Sequence, residues 1–146
     1  MTAEQEPAEI LLVEDNAGDV RLVREALAGG AVPVRLTVVR NGEEALSRLG
    51  HEGAHAGTRR PDLILLDLNL PRVGGRELLA EIKADPCLRR IPVVVLTSSD
   101  AEHDILDAYD RHANCYVRKP LDLEDFLRVL RHIAEFWLTV AKLPRE

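Results

Sequence analysis

Five short apolar runs alternate with amphipathic segments of helical length, which predicts an α/β fold with a parallel sheet at its centre. Two of the runs, Ile10-Leu11-Leu12-Val13 and Leu63-Ile64-Leu65-Leu66, are apolar without alternation. Strands read this way when helices cover both faces of the sheet. At 146 residues and 46% hydrophobic content, the chain suits one domain over residues 8–140, with tails at 1–7 and 142–146.

The runs are Ile10 to Glu14, Val34 to Val39, Leu63 to Asp67, Val93 to Thr97 and Cys115 to Val117. Between them the pattern predicts helices over 16–28, 42–49, 74–85, 101–112 and 122–141. Gly29-Gly30 closes the first helix, Asp85-Pro86 closes the third, and Asp122 caps the last. Gly50 to Pro61, with its glycines and histidines, reads as a surface loop.

Composition excludes several classes. Asp and Glu outnumber Lys and Arg by 25 to 19, a net charge of -6, so no nucleic-acid surface is expected. No apolar stretch approaches the ~20 residues of a membrane span, and the polar, acidic start does not read as a secretory signal, so the expectation is cytoplasmic and membrane-free. Cys87 and Cys115 form no CxxC pattern and are expected to be buried or half-buried thiols.

In parallel α/β sheets the working residues gather past the carboxyl ends of the strands. Here the first run ends in Glu14-Asp15, the third in Asp67, the fourth in Thr97-Ser98, and the fifth leads to Lys119-Pro120. Three carboxylates brought together repel by several kcal/mol even at an effective dielectric of about 20, so something positive must sit among them. Oxygen ligands from Glu14, Asp15 and Asp67 suit Mg²⁺, and Lys119 adds a positive charge. An aspartate beside Mg²⁺ can attack phosphorus while the metal and the lysine neutralise the transferring group and Thr97 binds one of its oxygens. No general acid or base is poised for turnover of an organic substrate, so the acyl phosphate is expected to be a stored product and the chain not an enzyme in the ordinary sense.

The stretches ILLVEDN, LILLDLNLP, VVVLTSS and YVRKP, in this order and spacing, resemble the two-component response-regulator receiver domain over residues 8 to 135. That resemblance implies a flavodoxin-like (CheY-like) doubly wound five-stranded parallel sheet of order 2-1-3-4-5 with helices on both faces. It implies Asp67 as the phosphorylated residue and Asp15 and Asp67 as Mg²⁺ ligands. Glu14 would be a direct or water-mediated ligand, and the Asn69 carbonyl another. Thr97 and Lys119 would grip the phosphoryl group. Thr97 and Tyr116 would form the switch that remodels the face of the fourth helix, fifth strand and fifth helix, and Gly75 matches the family's glycine after the Asp67 loop. A cis Lys119-Pro120 bond is implied too, physically reasonable because X-Pro makes cis cheap.

Within the family, the long Gly50 to Pro61 loop, HANCYVRKP and the late FWL resemble stand-alone regulators of bacterial phytochrome histidine kinases. A phytochrome-type sensor histidine kinase is therefore the expected partner, and output would pass through an unidentified downstream protein. Relay of the phosphate onward, a phosphate sink, and a phosphorylation-independent interaction module are the alternatives.

The last helix carries more than a core-facing stripe. Leu123, Phe126, Leu127, Leu130, Ile133, Trp137 and Ala141 align, and Val129, Phe136 and Val140 widen the arc to roughly 200°, against the ~100° that docks one face. Phe126, Phe136 and Trp137 are three of the chain's five aromatics, a residue class favoured at interface cores. A homodimer through Val129, Ile133, Phe136, Trp137 and Val140 is expected, consistent with dimers of similar phytochrome-linked regulators.

Other patterns carry less. His51-Glu52-Gly53-Ala54-His55 matches HExxH, but the surrounding glycines argue against the helix that zinc chemistry needs. His103, His112 and His132 read as residues on helix faces. A haloacid-dehalogenase-type phosphatase would carry a second aspartate where Asn69 stands, and its acidic pair would follow the nucleophile, whereas Glu14-Asp15 precedes Asp67. A Gly-rich nucleotide loop is absent after the first strand.

Overall fold

The computed structural model describes residues 6–50, 59–70 and 73–144. Five strands, β1 (Ala8–Val13), β2 (Val34–Val39), β3 (Leu63–Leu66), β4 (Val93–Thr97) and β5 (Cys115–Arg118), alternate with five α-helices. The helices are α1 (Ala17–Leu27), α2 (Gly42–Leu49), α3 (Gly75–Ala84), α4 (Glu102–Asp110) and α5 (Leu123–Glu135), and a π-helical turn over Phe136–Val140 extends the last. The strands are all parallel, in the order β2-β1-β3-β4-β5.

Successive residues of a strand point to opposite faces, and here both faces are buried. Leu11, Val13, Ile64, Leu66, Val93 and Val95 pack with Ala45 and Leu49 of α2, Leu78, Leu79 and Ile82 of α3, and Ala108 of α4. Ile10, Leu12, Leu63, Leu65, Val94 and Leu96 pack with Val23 and Ala26 of α1 and Phe126, Leu130 and Ile133 of α5. The unbroken apolar runs therefore reflect a sheet covered on both sides. Strands β3 and β4 are buried throughout and β1 from Ile10 onward, whereas β2 and β5, at the edges, are largely half-exposed.

Local chemistry sets the helix ends. Asn16, Asn41 and Asp122 cap α1, α2 and α5, each accepting from a backbone N–H three residues on. Gly29 follows α1 at φ 129, a region open to glycine at little steric cost.

Several expectations need correction. Cys87 is exposed, in the turn after α3 where its N–H donates to Asp85 Oδ1 at 2.7 Å, whereas Cys115 is half-buried. Helix α4 stops at Asp110, and His112 lies beyond it in the left-handed region at φ 71, so it is no helix-face residue. The last helix changes pitch at Phe136, where the Ala141 N–H donates to the Phe136 carbonyl at 2.8 Å, five residues back. No cis peptide occurs among the described residues, so Lys119-Pro120 is trans, the form X-Pro amides prefer by about 0.5–1 kcal/mol. His51 to His55, and most of the loop read from Gly50 to Pro61, lie outside the described residues.

The start of α3 lies hard against the segment after β3. A Cβ on Gly75 would sit 2.5 Å from the Leu68 Cα and 2.6 Å from the Asp67 carbonyl, and backbone must move to admit it. Gly75→Ala is expected to lower stability by about 1–3 kcal/mol, read by urea denaturation. An unchanged midpoint would show that α3 can retreat freely from the Asp67 segment.

Candidate functional site

The chain leaves β1 toward β2 on one side and passes β3 to β4 on the other, so a crevice opens between β1 and β3 at their carboxyl ends. Pairing continues one residue past each strand. The Glu14 N–H donates to the Val39 carbonyl and the Asp67 N–H to the Val13 carbonyl, both at 3.0 Å. These bonds fix Glu14 and Asp67 at the crevice, 3% and 7% exposed. Asp15, next in sequence, is exposed above them. One carboxylate oxygen from each of Glu14, Asp15 and Asp67 lies within 4.8 Å of the others. At that spacing each ionised pair repels by roughly 3 kcal/mol at an effective dielectric of 20.

Lys119, just past β5, supplies the counter-charge. Its Nζ donates to Glu14 Oε1 at 2.6 Å, Asp19 Oδ2 at 2.8 Å and Asp67 Oδ2 at 3.4 Å. Burial alone would lower the Lys119 pKa, but the hydrogen bonds to Asp19 and Glu14 and the charge on Asp67 outweigh it and raise the pKa above the ordinary lysine value. One ammonium cannot satisfy all these acids. Burial, with the neighbouring Asp67, pushes Glu14 up to about 8 although Lys119 pulls the other way. Three carboxylate oxygens gathered this closely, with a single ammonium among them, fit a hard divalent cation such as Mg²⁺.

The remaining expected residues surround this cluster. The Asn69 N–H donates to Asp67 Oδ1 at 3.0 Å, and Asn69 itself is exposed. Thr97 is 1% exposed at the end of β4, its carbonyl accepting from the Lys119 N–H at 2.7 Å. Its Oγ1 accepts from the Ser99 N–H at 3.4 Å, and the Tyr116 hydroxyl donates to the Ser99 carbonyl at 2.8 Å. Burial raises the Tyr116 pKa, and its bond to Ser99 opposes that.

Of the five residues expected at a dimer interface, Ile133 is 9% exposed and belongs to the core under α5. Val129 and Trp137 pack partly against that core. Phe136 and Val140 are 49% and 65% exposed. Phe136 meets Trp137 edge to face at a centroid distance of 5.3 Å.

Two features escaped the sequence. Asp19 is an acid in the first turn of α1, where any acid is favoured by the helix dipole, and nothing local marks it as a partner of Lys119. Likewise Arg76 of α3 bridges Asp104 at 2.6 Å and Asp107 at 3.2 Å on α4, while Ser99 Oγ donates to Asp104 Oδ2 at 2.6 Å.

A doubly wound parallel sheet with a divalent-cation cradle at its switch point defines the class of CheY-like α/β signalling domains. The chain belongs to the response regulator receiver domain family, whose model matches residues 10–131. It is 47% identical to response regulator Rcp1 of Synechocystis sp. over 138 residues, which span 94% of each chain. It resembles the structure of the phosphorylated cyanobacterial phytochrome response regulator RcpA with a TM-score of 0.93 and 53% identity, covering 96% of this chain and 100% of that one. The Mn²⁺-bound form of Rcp1 matches with a TM-score of 0.92 and 47% identity, over 95% of this chain and 100% of that one. Receivers are generally non-catalytic signalling proteins, and membership implies a histidine kinase partner. No helix among the described residues is long and apolar enough to cross a membrane.

Glu14 gives the site a pH signature. In the unfolded chain it ionises near its ordinary 4.5, and in the metal-free fold near 8. Its contribution to stability is therefore fully present below the first value and is lost as pH rises toward the second. A cation requires the ionised carboxylate, so binding must expel the proton. Mg²⁺ titration at about pH 7 is expected to release protons, seen as heats that change with the buffer's ionisation enthalpy, and the release should vanish at about pH 9.5. Glu14→Gln should abolish it; release that persists in that variant would assign the proton elsewhere.

Proposed function

We propose that the chain receives a phosphoryl group on Asp67 from a phytochrome-type sensor histidine kinase and signals through a conformational switch. The observation that carries this reading is Asp67 itself, a nearly buried carboxylate at the switch point, 3.4 Å from the Lys119 ammonium and inside the acidic cluster. Similarity to the cyanobacterial phytochrome response regulator RcpA supports the choice of donor.

In the reaction, a carboxylate oxygen of Asp67 forms a bond to phosphorus as the bond from phosphorus to the donor imidazole nitrogen breaks, and the electron pair leaves with the imidazole. The Asn69 N–H on Oδ1 and Lys119 on Oδ2 orient the carboxylate. Glu14, Asp15 and Asp67, with the Asn69 carbonyl, would hold a divalent cation, which would supply charge neutralisation for the phosphoryl oxygens. Lys119 adds the second positive charge and Thr97 a hydroxyl for another phosphoryl oxygen.

Thr97 and Tyr116 form the switch in this reading because both bond to Ser99. Withdrawal of the Thr97 hydroxyl toward a phosphoryl group frees the Ser99 N–H, and Ser99 opens the β4–α4 segment. The signal then passes to a separate downstream protein. This reading carries a cytoplasmic location, since the phosphoryl group originates in cytosolic ATP.

The exposed Phe136 and Val140, continuous with half-buried Trp137 and Val129, support a homodimer through the end of the last helix. Ile133 serves that interface only from beneath, as part of the core.

Incubation with acetyl phosphate and Mg²⁺ should add a phosphate-sized mass to the intact protein, absent in Asp67→Asn and with EDTA. A wild-type chain left unmodified by acetyl phosphate and by phytochrome-kinase donors alike would leave only an interaction module. Sedimentation should give twice the chain mass at micromolar concentration, reduced to monomer by Phe136→Asp with Val140→Asp. A wild-type monomer, phosphorylated or not, would dispose of the dimer.

A further inference from the structure

Lys119 has three acidic partners among the described residues, and they differ in kind. Glu14 and Asp67 each contribute an oxygen to the cluster suited to a cation. Asp19 does not, yet its Oδ2 lies 2.8 Å from Nζ, closer than Asp67 at 3.4 Å. A divalent cation draws on the Glu14 and Asp67 carboxylates and repels the ammonium at the same time. Of the three acids, only Asp19 stands outside the carboxylates on which a cation would draw.

Asp19 is built to hold still. Its N–H donates to the Asn16 side chain at 2.9 Å in the cap of α1, which fixes the backbone from which the carboxylate projects. Its side chain is 24% exposed and that of Lys119 12%, so the pair is screened less than a surface ion pair. The two residues come from opposite ends of the chain, 100 positions apart, so the contact also joins the start of α1 to the end of β5.

We propose that Asp19 is a positioning residue for Lys119, the anchor that keeps the ammonium at the phosphoacceptor when the cation occupies Glu14 and Asp67. This rests on the role given to Lys119 in the proposed reaction. Without the anchor a flexible four-carbon side chain samples solvent and stands ready at the transferring group for a smaller share of the time. Asp19 touches neither the phosphoryl group nor the cation and acts only through Lys119.

A double-mutant cycle tests this. Phosphorylation by acetyl phosphate at saturating Mg²⁺ is followed by intact mass for wild type, Asp19→Asn, Lys119→Ala and the double variant, with Asp19→Glu as the conservative control. Loss of the anchor is expected to slow the wild-type reaction about tenfold and to have no effect beyond about twofold when Lys119 is already Ala. Asp19→Glu should recover most of the rate.

A second readout needs no phosphoryl transfer. Acetylation of Lys119 by dilute acetic anhydride, read by peptide mass spectrometry in the Mg²⁺-loaded protein, should be several-fold faster in Asp19→Asn than in wild type. Lys119→Ala slowed with Asp19→Asn unaffected, or penalties that multiply in the double variant, would overturn the proposal and leave the proposed function intact. Lys119→Ala reacting at the wild-type rate would overturn the role of Lys119 itself, and this inference with it.

Discussion

The crevice between β1 and β3 holds more negative charge than one lysine can balance, and much of the local structure answers to that imbalance. Lys119 bridges Glu14, Asp19 and Asp67, which lie on three different segments, and so ties the ends of β1, β3 and β5 to the start of α1. Burial, with Asp67 beside it, pushes Glu14 up to about 8 even though Lys119 pulls the other way. A divalent ion bound by these carboxylates would offset the repulsion among them.

The fold supplies this arrangement at little cost in specificity elsewhere. Parallel pairing carries β1 and β3 into register, and one extra hydrogen bond beyond each strand delivers Glu14 and Asp67 to the same edge. Helices on both faces bury β3, β4 and β1 from Ile10 onward, so Glu14 and Asp67 emerge from a close-packed core. Gly75 lets α3 close to backbone contact behind Asp67, which limits where that carboxylate can go.

From the site, a chain of short contacts leads outward. Thr97 and Tyr116 both bond to Ser99, whose hydroxyl donates to Asp104 on α4, and Arg76 of α3 holds Asp104 and Asp107 together. The Asp104 carboxyl is held below its ordinary pKa by the Ser99 hydroxyl and by Arg76, so the link stays ionised. These contacts join the end of β4 to α4, where Leu106 and Tyr109 are exposed.

The sequence by itself determined the strands, the helix starts and the residues at the strand ends, because burial on two faces and helix capping leave their marks in neighbouring residues. Helices α1, α2 and α3 fall within a residue of the pattern, and Glu14, Asp15, Asp67 and Lys119 meet at one edge because each lies just past the carboxyl end of a parallel strand. Other features left no local mark. Cys87 looked like any small interior residue, the change of pitch at Phe136 sat inside an uninterrupted apolar pattern, and Asp19 looked like an ordinary first-turn acid. Which acid shares Lys119, how Arg76 joins α3 to α4, and which aromatics of the last helix stay exposed were decided only by the tertiary structure. Hydrophobic periodicity is a property of adjacent residues, whereas an ion pair depends on a separation of a few ångströms between side chains 100 residues apart, and only packing sets that distance.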